Sequence, residues 1–269
     1  MSQTILITGA SSGIGKTTAK FFQEKGWNVI ATMRSPEKEE ELNKLENVLV
    51  TRLDVTDSKS IDTAVSEGID KFGKIDALLN NAGYGAIGIF EAFSMEQIRR
   101  QYDVNVIGLF ETTKKILPHF RKNKSGVILN ISSVGGRVAF PVTSLYHGTK
   151  YAIEGFTESL YYEMKAIGVK VKLIEPGFIK TDFAGRSLDF TNDESMEEYQ
   201  ALIKNAMGNL QVDKASEPIV VAEAIYQATT DGTSKLRYPI GGLAPEMIER
   251  REALNDDEFM TETEKNLGL

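Results

Sequence analysis

The sequence predicts a doubly wound α/β fold, in which a parallel sheet of about seven strands has helices on both faces. The first indication is a regular succession of short apolar segments and longer segments of helical character. The short segments alternate little between apolar and polar residues, which is typical of strands buried on both faces. The second indication is a glycine-rich turn between the first strand and the first helix. Because helical crossovers between parallel strands are right-handed, this order of elements favours the doubly wound topology.

The elements follow one another along the whole chain. Runs of apolar residues mark the strands, and the glycine, proline and polar residues between them mark the turns. The predicted strands cover residues 4–8, 28–33, 48–53, 75–80, 127–132, 169–175 and 236–240. The predicted helices cover residues 14–25, 58–72, 94–122 and 146–167, with a charged surface helix at 36–45 that has a proline at its start.

Composition excludes several classes of site. The 269 residues include no cysteine, which excludes disulfides, thiolate nucleophiles and thiolate metal sites. Two histidines cannot form a histidine-rich metal cluster, and we expect no metal. No stripe of Lys and Arg with aromatic residues between them is present, so we expect no nucleic-acid partner. The chain starts without the pattern of a secretory signal and has no apolar run that could span a bilayer, so we expect a cytoplasmic protein.

The chain is expected to form one domain with two appended features. Residues 1–245 form the predicted domain, and no repeat or low-complexity linker divides them. Residues 183–216 are irregular and polar, and we expect a substrate lid there with a short helix at 194–207. Residues 246–269 contain eight acidic and three basic residues, which predicts an acidic, helical C-terminal extension with a solvated face.

The glycine-rich turn at residues 8–15 reads TGASSGIG. Small residues let the backbone approach a pyrophosphate, and the N-terminus of the next helix offers free N–H groups and a positive dipole. The spacing of its glycines differs from the generic dinucleotide pattern. The end of the turn, Gly15-Lys16-Thr17, matches the end of the phosphate-binding loop of P-loop kinases and nucleoside triphosphatases. That loop needs its first glycine at position 10, where this chain has alanine, so the glycines are one residue out of register. A tight turn without a ligand is the remaining alternative.

The end of the second strand indicates which dinucleotide is bound. An acidic side chain at this point would bind the ribose 2′-hydroxyl of NAD and repel a 2′-phosphate. The segment reads Ala31-Thr32-Met33-Arg34 and has no carboxylate. Arg34 can bind a phosphate with two hydrogen bonds, which favours NADP over NAD. An ordinary surface arginine is the alternative.

A tyrosine and a lysine are spaced for one face of a helix. Tyr146 and Lys150 are four residues apart, and Ser133 lies thirteen residues before the tyrosine. Four residues are about one helical turn, so the phenol and the ammonium share a face. Such a pair is a proton donor with its own electrostatic activator. By spacing alone, such a pair is more often part of an amphipathic surface than of a catalytic site.

Together these motifs resemble the single-domain short-chain dehydrogenase/reductase family. The motifs follow the family's order from residue 4 to about residue 242. They are the turn at 8–15, Asp54-Val55, Asn80-Asn81-Ala82-Gly83, Asn105, Ser133, Tyr146 with Lys150, and Pro176-Gly177 with Thr181. Three short segments, 82–85, 118–121 and 236–241, are similar to the 17β-hydroxysteroid and retinol dehydrogenase-like branch. The resemblance implies a Rossmann fold and an NADP-dependent oxidoreductase that acts on CH–OH groups.

The resemblance also implies which residues bind the cofactor. Those expected at the phosphates and riboses are Gly9, Ser11, Ser12, Gly13, Ile14 and Gly15. Those expected around the adenine and its ribose are Asp54, Val55, Asn81, Ala82 and Gly83. Those expected at the nicotinamide end are Pro176, Gly177, Ile179 and Thr181, together with Tyr146 and Lys150.

Four side chains are implied to carry the chemistry. Tyr146 would be the general acid and base, and Lys150 together with the oxidised nicotinamide would lower its pKa. Ser133 would donate to the substrate oxygen, and Asn105 would hold a water that connects Lys150 to solvent. Two alternatives remain: Asn105 as a satisfied buried amide, and Ser132 in place of Ser133.

Several expectations rest on less specific features. His147 and His119 are predicted to be structural. The substrate is expected to be a small carbonyl or alcohol, apolar by analogy with the branch, and a homodimer or homotetramer is implied by the family. A non-catalytic NADP-binding sensor or scaffold with the same fold is the alternative function. Apolar pocket material is available at Tyr84, Phe90, Phe140, Val142 and Phe183.

Overall fold

Seven parallel strands form the main sheet, as predicted. The computed structural model describes residues 2–182, 185, 187–209 and 212–268, and only the backbone of Val212 and Leu267. The strands are β1 Thr4–Ile7, β2 Asn28–Met33, β3 Val48–Arg52, β4 Ala77–Asn80, β5 Gly85–Gly88, β6 Gly126–Ile131, β7 Val169–Pro176, β8 Leu188–Thr191 and β9 Arg237–Ile240. The main sheet has the order β3-β2-β1-β4-β6-β7-β9, and every neighbouring pair is parallel. The order reverses direction after β1, which defines the doubly wound Rossmann topology.

Helices cover both faces of this sheet. They are α1 Gly13–Glu24, α2 Ser58–Phe72, α3 Met95–Tyr102, α4 Gly108–Asn123, α5 Ser144–Lys165, α6 Glu197–Gly208, α7 Pro218–Thr230, α8 Ala244–Ala253 and α9 Asp256–Leu267. Helix α2 shows how the sequence sets its ends: the Asp57 side chain accepts the N–H groups of Lys59 and Ser60, and Gly73 ends the helix with φ +79°.

Consecutive residues of the central strand belong to different cores. Ile5 and Ile7 lie in the apolar cluster that contains Phe22 of α1. Leu6, between them, lies in the opposite cluster with Ile116 of α4. Because successive strand residues point to opposite faces, this sheet buries both faces, and the strands read as continuous apolar runs.

The helix predicted at residues 36–45 is wrong. Two short 3₁₀ turns, Pro36–Lys38 and Leu42–Lys44, stand in its place. The buried Glu39 carboxylate accepts the N–H of Glu41 at 2.9 Å and that of Leu42 at 3.0 Å. Lys16 of α1 pairs with the same carboxylate at 3.1 Å. The carboxylate therefore competes with the backbone carbonyls for the N–H groups that a helix would use.

The helical region predicted at 94–122 is present but is interrupted. A π-helical turn, Asp103–Ile107, joins α3 to α4 and contains Asn105. Such turns widen a helix locally and are frequent at functional sites. Composition gives no sign of the turn, because π-helical residues have no distinct pattern of their own.

Three further elements were not predicted. Strands β5 and β8 form a small parallel sheet separate from the main one. Helix α7, which follows β8 and precedes β9 in the chain, packs against α1. Strand β8 and helix α6 lie in the predicted lid, and α6 overlaps the helix expected at 194–207. The lid positions 183, 184, 186, 210 and 211, including Phe183, lie outside the described residues.

The acidic C-terminal segment packs on the domain. The side chain of Asn255 accepts the N–H of Glu258, whose carboxylate in turn accepts the N–H of Asn255, and this capping box starts α9. Ile248 of α8 and Phe259 of α9 form an apolar cluster with Val134 and Val138. The segment thus has a solvated acidic face and a buried apolar face. Within the described residues, no helix has the length and apolar character to cross a membrane.

Candidate active site

The glycine-rich turn is closely packed against the end of β4. Gly9 has φ +70° and Gly13 has φ +52°, a region that favours glycine. A Cβ on Gly9 would lie 2.9 Å from the Cα of Ala82. A Cβ on Gly15 would lie 2.4 Å from the Gly9 carbonyl oxygen and 2.5 Å from Nδ2 of Asn81. The glycines are therefore required by the packing of the turn itself.

Hydrogen bonds join this turn to the segment after β4. The Thr8 hydroxyl accepts the N–H groups of Asn81 and Ala82, both at 3.0 Å. The side-chain amide of Asn81 donates to the carbonyls of Thr8 at 2.9 Å and Gly9 at 3.0 Å. Asn81 and Ala82, predicted as a wall beside the adenine ribose, thus also fix the shape of the turn.

The N-terminus of α1 is open towards this turn. Ser12 is the N-cap residue, and its side chain makes no capping hydrogen bond. Ser11 is exposed, whereas Ile14 packs against the first apolar cluster. The first N–H groups of a helix have no partners within the helix, so an uncapped N-terminus beside a glycine turn suits a phosphate.

Arg34 lies beside the same turn. The Ala10 N–H donates to the Thr32 carbonyl at 2.9 Å, which holds the turn against the end of β2. Arg34 follows two residues later and is exposed. In the described part of the chain its guanidinium has no ion pair or hydrogen bond, so it is available to an anion at this edge of the sheet.

Asp54 and Val55 lie at the end of β3. The Asp54 carboxylate accepts the backbone N–H of Thr56 at 3.0 Å and its hydroxyl at 2.8 Å, an arrangement typical of a turn. Val55 is buried against α4, where a Cβ on Gly108 would lie 2.7 Å from Val55. The carboxylate therefore shapes the turn that borders the site.

The segment after β7 reaches back to the glycine turn. Strand β7 ends at the buried Pro176. The N–H of the next residue, Gly177, donates to a carbonyl of β9 at 3.0 Å. Ile179 forms a β-bridge with Ser216. A Cβ on Gly13 would lie 3.3 Å from the methyl group of Thr181. Thr181 therefore lies beside the turn, and the binding of the nicotinamide by these four residues stays a prediction.

Ser133, rather than Ser132, lies with the tyrosine. Ser133 forms a hydrogen bond with Tyr146, and its hydroxyl oxygen accepts the N–H of Gly135 at 3.0 Å. The hydroxyl of Ser132 is buried and has no hydrogen-bond partner among the described residues. The thirteen-residue spacing thus corresponds to a direct contact.

Burial changes the pKa values of the tyrosine and the lysine. Burial raises the pKa of Tyr146, and the hydrogen bond with Ser133 opposes this only in part. Burial lowers the pKa of Lys150 to about 8, although the nearby Glu154 carboxylate raises it. The lowered pKa expected for Tyr146 is not found in the chain alone, because the cost of burying a phenolate exceeds the effect of its neighbours.

Lys150 is held beneath the tyrosine ring. Its ammonium donates to the Ile131 carbonyl at 2.9 Å and lies 5.6 Å from the centre of the Tyr146 ring. The carbonyl belongs to the last residue of β6, so the sheet positions the charge. On α5, Lys150 is thus buried and Tyr146 is half-buried above it, so the lysine is not on a solvated surface.

Asn105 forms the contacts of a satisfied amide. It accepts the N–H of Tyr84 at 3.0 Å and donates to the Tyr84 carbonyl at 2.8 Å. It also lies 3.3 Å from the hydroxyl of Thr149, next to Lys150 in sequence. A Cβ on Gly83 would lie 3.2 Å from its oxygen. In the structure Asn105 thus fixes the segment after β4, and the predicted contact with Lys150 through a water stays a prediction.

Two buried acids behind the site were not predicted. Glu175, at the end of β7, is fully buried, and Glu154 of α5 is nearly so. Arg237 lies 3.1 Å from Glu154 and 3.4 Å from Glu175, and Arg137 lies 3.5 Å from Glu175. Burial and the neighbouring Glu154 raise the pKa of Glu175. Neither acid belongs to a motif that would single it out in the sequence.

The apolar side chains expected in the pocket are spread around the site. Phe140 is half-buried against the C-terminal cluster, and Tyr84 packs with the small cluster that contains Leu145 of α5. Phe90 is 58% exposed to solvent. The backbone of Val142 has a φ of +60°, in the left-handed region. A role of these side chains in substrate binding stays a prediction.

A comparison with known families decides the class of the protein. The family model described as short chain dehydrogenase matches residues 3–192. The chain is a short-chain dehydrogenase. An oxidoreductase of unassigned function from Schizosaccharomyces pombe is 43% identical over 88% of this chain and 100% of its own length. A 3-ketodihydrosphingosine reductase from Bacteroides thetaiotaomicron is 41% identical over 96% of this chain and 95% of its own.

Solved structures agree with this assignment. A short-chain dehydrogenase from Streptomyces avermitilis has a TM-score of 0.84 and 31% identity, over 98% of this chain and 96% of that one. ElxO with NADP bound has a TM-score of 0.75 and 29% identity, over 91% and 100%. A 3-ketoacyl-(acyl-carrier-protein) reductase from Brucella melitensis complexed with NADH has a TM-score of 0.73 and 26% identity, over 87% and 93%. The short-chain dehydrogenase is thus an oxidoreductase whose relatives bind nicotinamide nucleotides.

Proposed function

We propose that this short-chain dehydrogenase transfers a hydride between NADP(H) and a carbonyl or secondary alcohol, with Tyr146 as the general acid and base. The hydrogen bond between Ser133 and Tyr146, above a buried Lys150, carries the proposal. These three groups come from two separate segments, the loop after β6 and helix α5. Lysine is rarely buried in proteins, so a helix that is only amphipathic is not expected to place a lysine in the interior beneath a tyrosine ring.

The residues of the turn suit a dinucleotide. The turn of small residues leads directly into the N-terminus of α1, which has no side-chain cap from Ser12. These features match the requirements of a pyrophosphate. Arg34 supports NADP over NAD, because its exposed guanidinium has no partner in the described chain and a 2′-phosphate would supply one.

In the reducing direction, the chain's own residues hold the carbonyl and supply the proton. NADPH would provide the hydride. Ser133 donates its hydroxyl hydrogen to the carbonyl oxygen and stabilises the charge that develops there. Tyr146 then gives its phenolic proton to the alkoxide. Because burial raises the pKa of Tyr146, the phenol is protonated near neutrality, which is the form that reduction requires.

Lys150 stabilises the phenolate that remains. An ammonium beside a phenolate is favourable, and its effect is greater in a buried site than in water. The pKa of Lys150 is about 8, so the ammonium loses its charge as pH rises through that value. Reduction should accordingly decline above about pH 8, provided that turnover is limited by proton transfer.

The first test replaces Tyr146 by Phe. Removal of a general acid lowers turnover by about 10²–10⁴-fold, and NADPH binding, followed by fluorescence titration, should be retained. Tyr162→Phe is the matched control, since Tyr162 is on the same helix and 70% exposed. Undiminished turnover of Tyr146→Phe would exclude the acid role. Tight NADPH binding without oxidation by any carbonyl would support a sensor.

The carbonyls in this test follow from the relatives and the site. The name of the 41% identical relative makes 3-ketodihydrosphingosine the first candidate. Ketosteroids, retinal, quinones and small ketones complete the panel. The partly buried Phe140 and Tyr84 beside the site favour an apolar substrate over a charged one. A preference for small polar ketones would contradict that expectation.

The second test addresses the choice of cofactor. Arg34→Asp removes the proposed phosphate partner and adds a charge that repels it, so we expect NADPH binding to weaken by about tenfold to a hundredfold. Binding of NADH should improve, because a carboxylate can bind the ribose hydroxyls. Arg121→Asp makes the same change of charge at the far end of α4 and should leave both affinities unchanged. Equal effects of the two variants would refute the role of Arg34.

A further inference from the structure

Both nitrogens of His147 are engaged in the buried interior. Nδ1 lies 2.6 Å from the carbonyl oxygen of Gly135, and Nε2 lies 2.9 Å from the backbone nitrogen of Phe140. The Phe140 N–H can only donate, so Nε2 must be the acceptor. The Gly135 carbonyl can only accept, so Nδ1 must carry the hydrogen. The surroundings therefore select one neutral tautomer of His147, which is 6% exposed.

Gly135 connects this ring to Ser133. Its carbonyl accepts from His147, and its own N–H donates to the Ser133 hydroxyl at 3.0 Å. A Cβ on Gly135 would lie 2.7 Å from Nδ1 of the histidine and 3.4 Å from the Ser133 hydroxyl. The absence of a side chain thus lets the ring and the serine approach the same residue from different directions.

The rest of the loop is fixed by backbone hydrogen bonds within its 3₁₀ turn and by apolar packing. Val134 and Val138 are buried against Ile248 and Phe259 of the C-terminal helices. Packing of these side chains limits where the loop lies, but van der Waals contacts are not directional. The hydrogen bond from His147 is directional, and it is made by the residue next to Tyr146. The same helix therefore carries both the tyrosine and the group that orients the serine's partner.

We propose that His147 is a positioning residue, which anchors Gly135 through its carbonyl so that the Gly135 N–H holds the Ser133 hydroxyl in place towards Tyr146 and the substrate oxygen. This inference rests on the proposed function and adds a residue to it. The Gly135 N–H occupies one lone pair of the serine oxygen. The hydroxyl hydrogen, whose acceptor in the structure is the Pro176 carbonyl at 3.5 Å, can then turn to the substrate oxygen. Without the ring, the Gly135 carbonyl loses this partner, and only the backbone hydrogen bonds of the turn and the apolar packing hold Gly135 against Ser133.

Protonation of His147 would disrupt this arrangement. An imidazolium has a hydrogen on Nε2, which would face the backbone N–H that Nε2 now accepts. Burial lowers the pKa of His147, so the neutral form persists at neutral pH and is lost only in acid. The titratable group that faces the ring is Tyr146, 6.0 Å away between ring centres. Arg137, on the same loop, is paired instead with Glu175 and Glu252.

Three substitutions separate the two bonds of the ring. His147→Leu removes both at similar volume. His147→Asn can place an amide N–H near the position of Nδ1 and keep the bond to Gly135, whereas His147→Gln can keep an acceptor for Phe140. We expect kcat to fall about tenfold in the Leu and Gln variants, as for loss of one directional contact, with an unchanged NADPH Kd. The Asn variant should recover most of the activity, which a general packing defect would not allow.

The pH profile and the tautomer provide independent measurements. Wild-type kcat should fall as pH drops below about 6.5 through the lowered pKa of His147, and the Asn variant should lack this acidic limb. Side-chain ¹⁵N NMR of the wild-type protein should show the hydrogen of His147 on Nδ1. This measurement does not depend on whether the Leu variant folds. The NMR signals of His119, the other histidine, are identified because they are missing from the spectrum of His119→Asn. This variant also serves as the activity control.

Each outcome bears on a definite part of the inference. Hydrogen on Nε2, or Leu, Asn and Gln variants with wild-type kcat, would overturn the role of His147. Equal losses in the Asn and Gln variants would also overturn it, because the bond to Gly135 would then have no special effect. If Tyr146→Phe retains activity, the proposed function fails first. If Tyr146→Phe is inactive and the His147 variants are unaffected, only this inference fails.

Discussion

Gly15 offers the sharpest test of how the cofactor turn is packed. A Cβ at this position would lie 2.4 Å from the Gly9 carbonyl oxygen and 2.5 Å from Nδ2 of Asn81. Ordinary contact begins near 3.4 Å, so Gly15→Ala creates an overlap of about an ångström on two sides. One of these neighbours is backbone. The other, Asn81, is held by hydrogen bonds to Thr8 and Gly9, so neither moves without loss.

The expected cost combines overpacking with disrupted hydrogen bonds. Insertion of an extra methyl group into a closely packed site costs about 1–3 kcal/mol. Displacement of Asn81 weakens two hydrogen bonds, each worth about 0.5–1.5 kcal/mol. Alanine recovers up to about 1 kcal/mol of helix propensity, since Gly15 lies in the first turn of α1. The net loss for Gly15→Ala should be about 2–3 kcal/mol, or a Tm lower by about 5 °C or more.

Gly155 is the matched control for this substitution. It lies in the interior of α5, and an added Cβ would meet nothing within 4 Å. Gly155→Ala should therefore stabilise the protein by about 0.5–1 kcal/mol through helix propensity alone. Urea unfolding measures both variants, and fluorescence titration should show weaker NADPH binding only for Gly15→Ala. Equal unfolding free energies for the two variants would refute the packing described for the turn.

Three further predictions concern stability. The free energy of unfolding of Glu175→Gln should exceed that of the wild type by a growing amount as pH rises above about 4.5. Between the ordinary pKa of a glutamate and the raised pKa of Glu175, ionisation of the buried carboxyl costs the wild type stability. Lys172→Met should lose about 3–5 kcal/mol, since the fully buried ammonium is paired with Asp231. Asn255→Ala should lose about 1 kcal/mol with the capping box. Urea unfolding over a range of pH measures all three.

Each of these predictions has a control. Glu158→Gln should show the opposite trend with pH, because Arg237 lowers the pKa of the exposed Glu158 carboxyl and the ion pair is lost in acid. Lys170→Met, on the same strand as Lys172 but partly exposed, should cost under about 1 kcal/mol. A pH-independent difference for Glu175→Gln, equal losses at the two lysines, or an unchanged unfolding free energy for Asn255→Ala would contradict the respective reasoning.

The elements that the sequence predicted well are those with local signals. Strand β2 and helix α2 have the predicted boundaries, because an apolar run and an Asp–Gly pair of caps mark them directly. The helix predicted at 36–45 failed for the opposite reason. Its outcome depends on Glu39, which is buried through contacts with α1 and accepts backbone N–H groups. A local pattern carries no information about such a competitor.

Site residues show the same division. The order of the glycine turn, Ser133, Tyr146 and Lys150 could be read from the chain, since each belongs to a recognisable motif. Glu154 and Glu175 could not, because a lone acidic residue in sequence is typical of a solvated surface. His147 follows Tyr146 by one residue and points in a different direction. Its importance depends on where a preceding loop folds.

By itself, the sequence determined the class of fold, the family and the residues that suit a nicotinamide-dependent proton transfer. Periodicity and glycine spacing act over a few residues, so they can be read without knowledge of the rest of the chain. Only the tertiary structure decided that Ser133 meets Tyr146, that the tyrosine ring lies above a buried lysine, and that His147 holds Gly135. These contacts join segments that are separate in sequence. Their distances and pKa values follow from how the whole core excludes water around them.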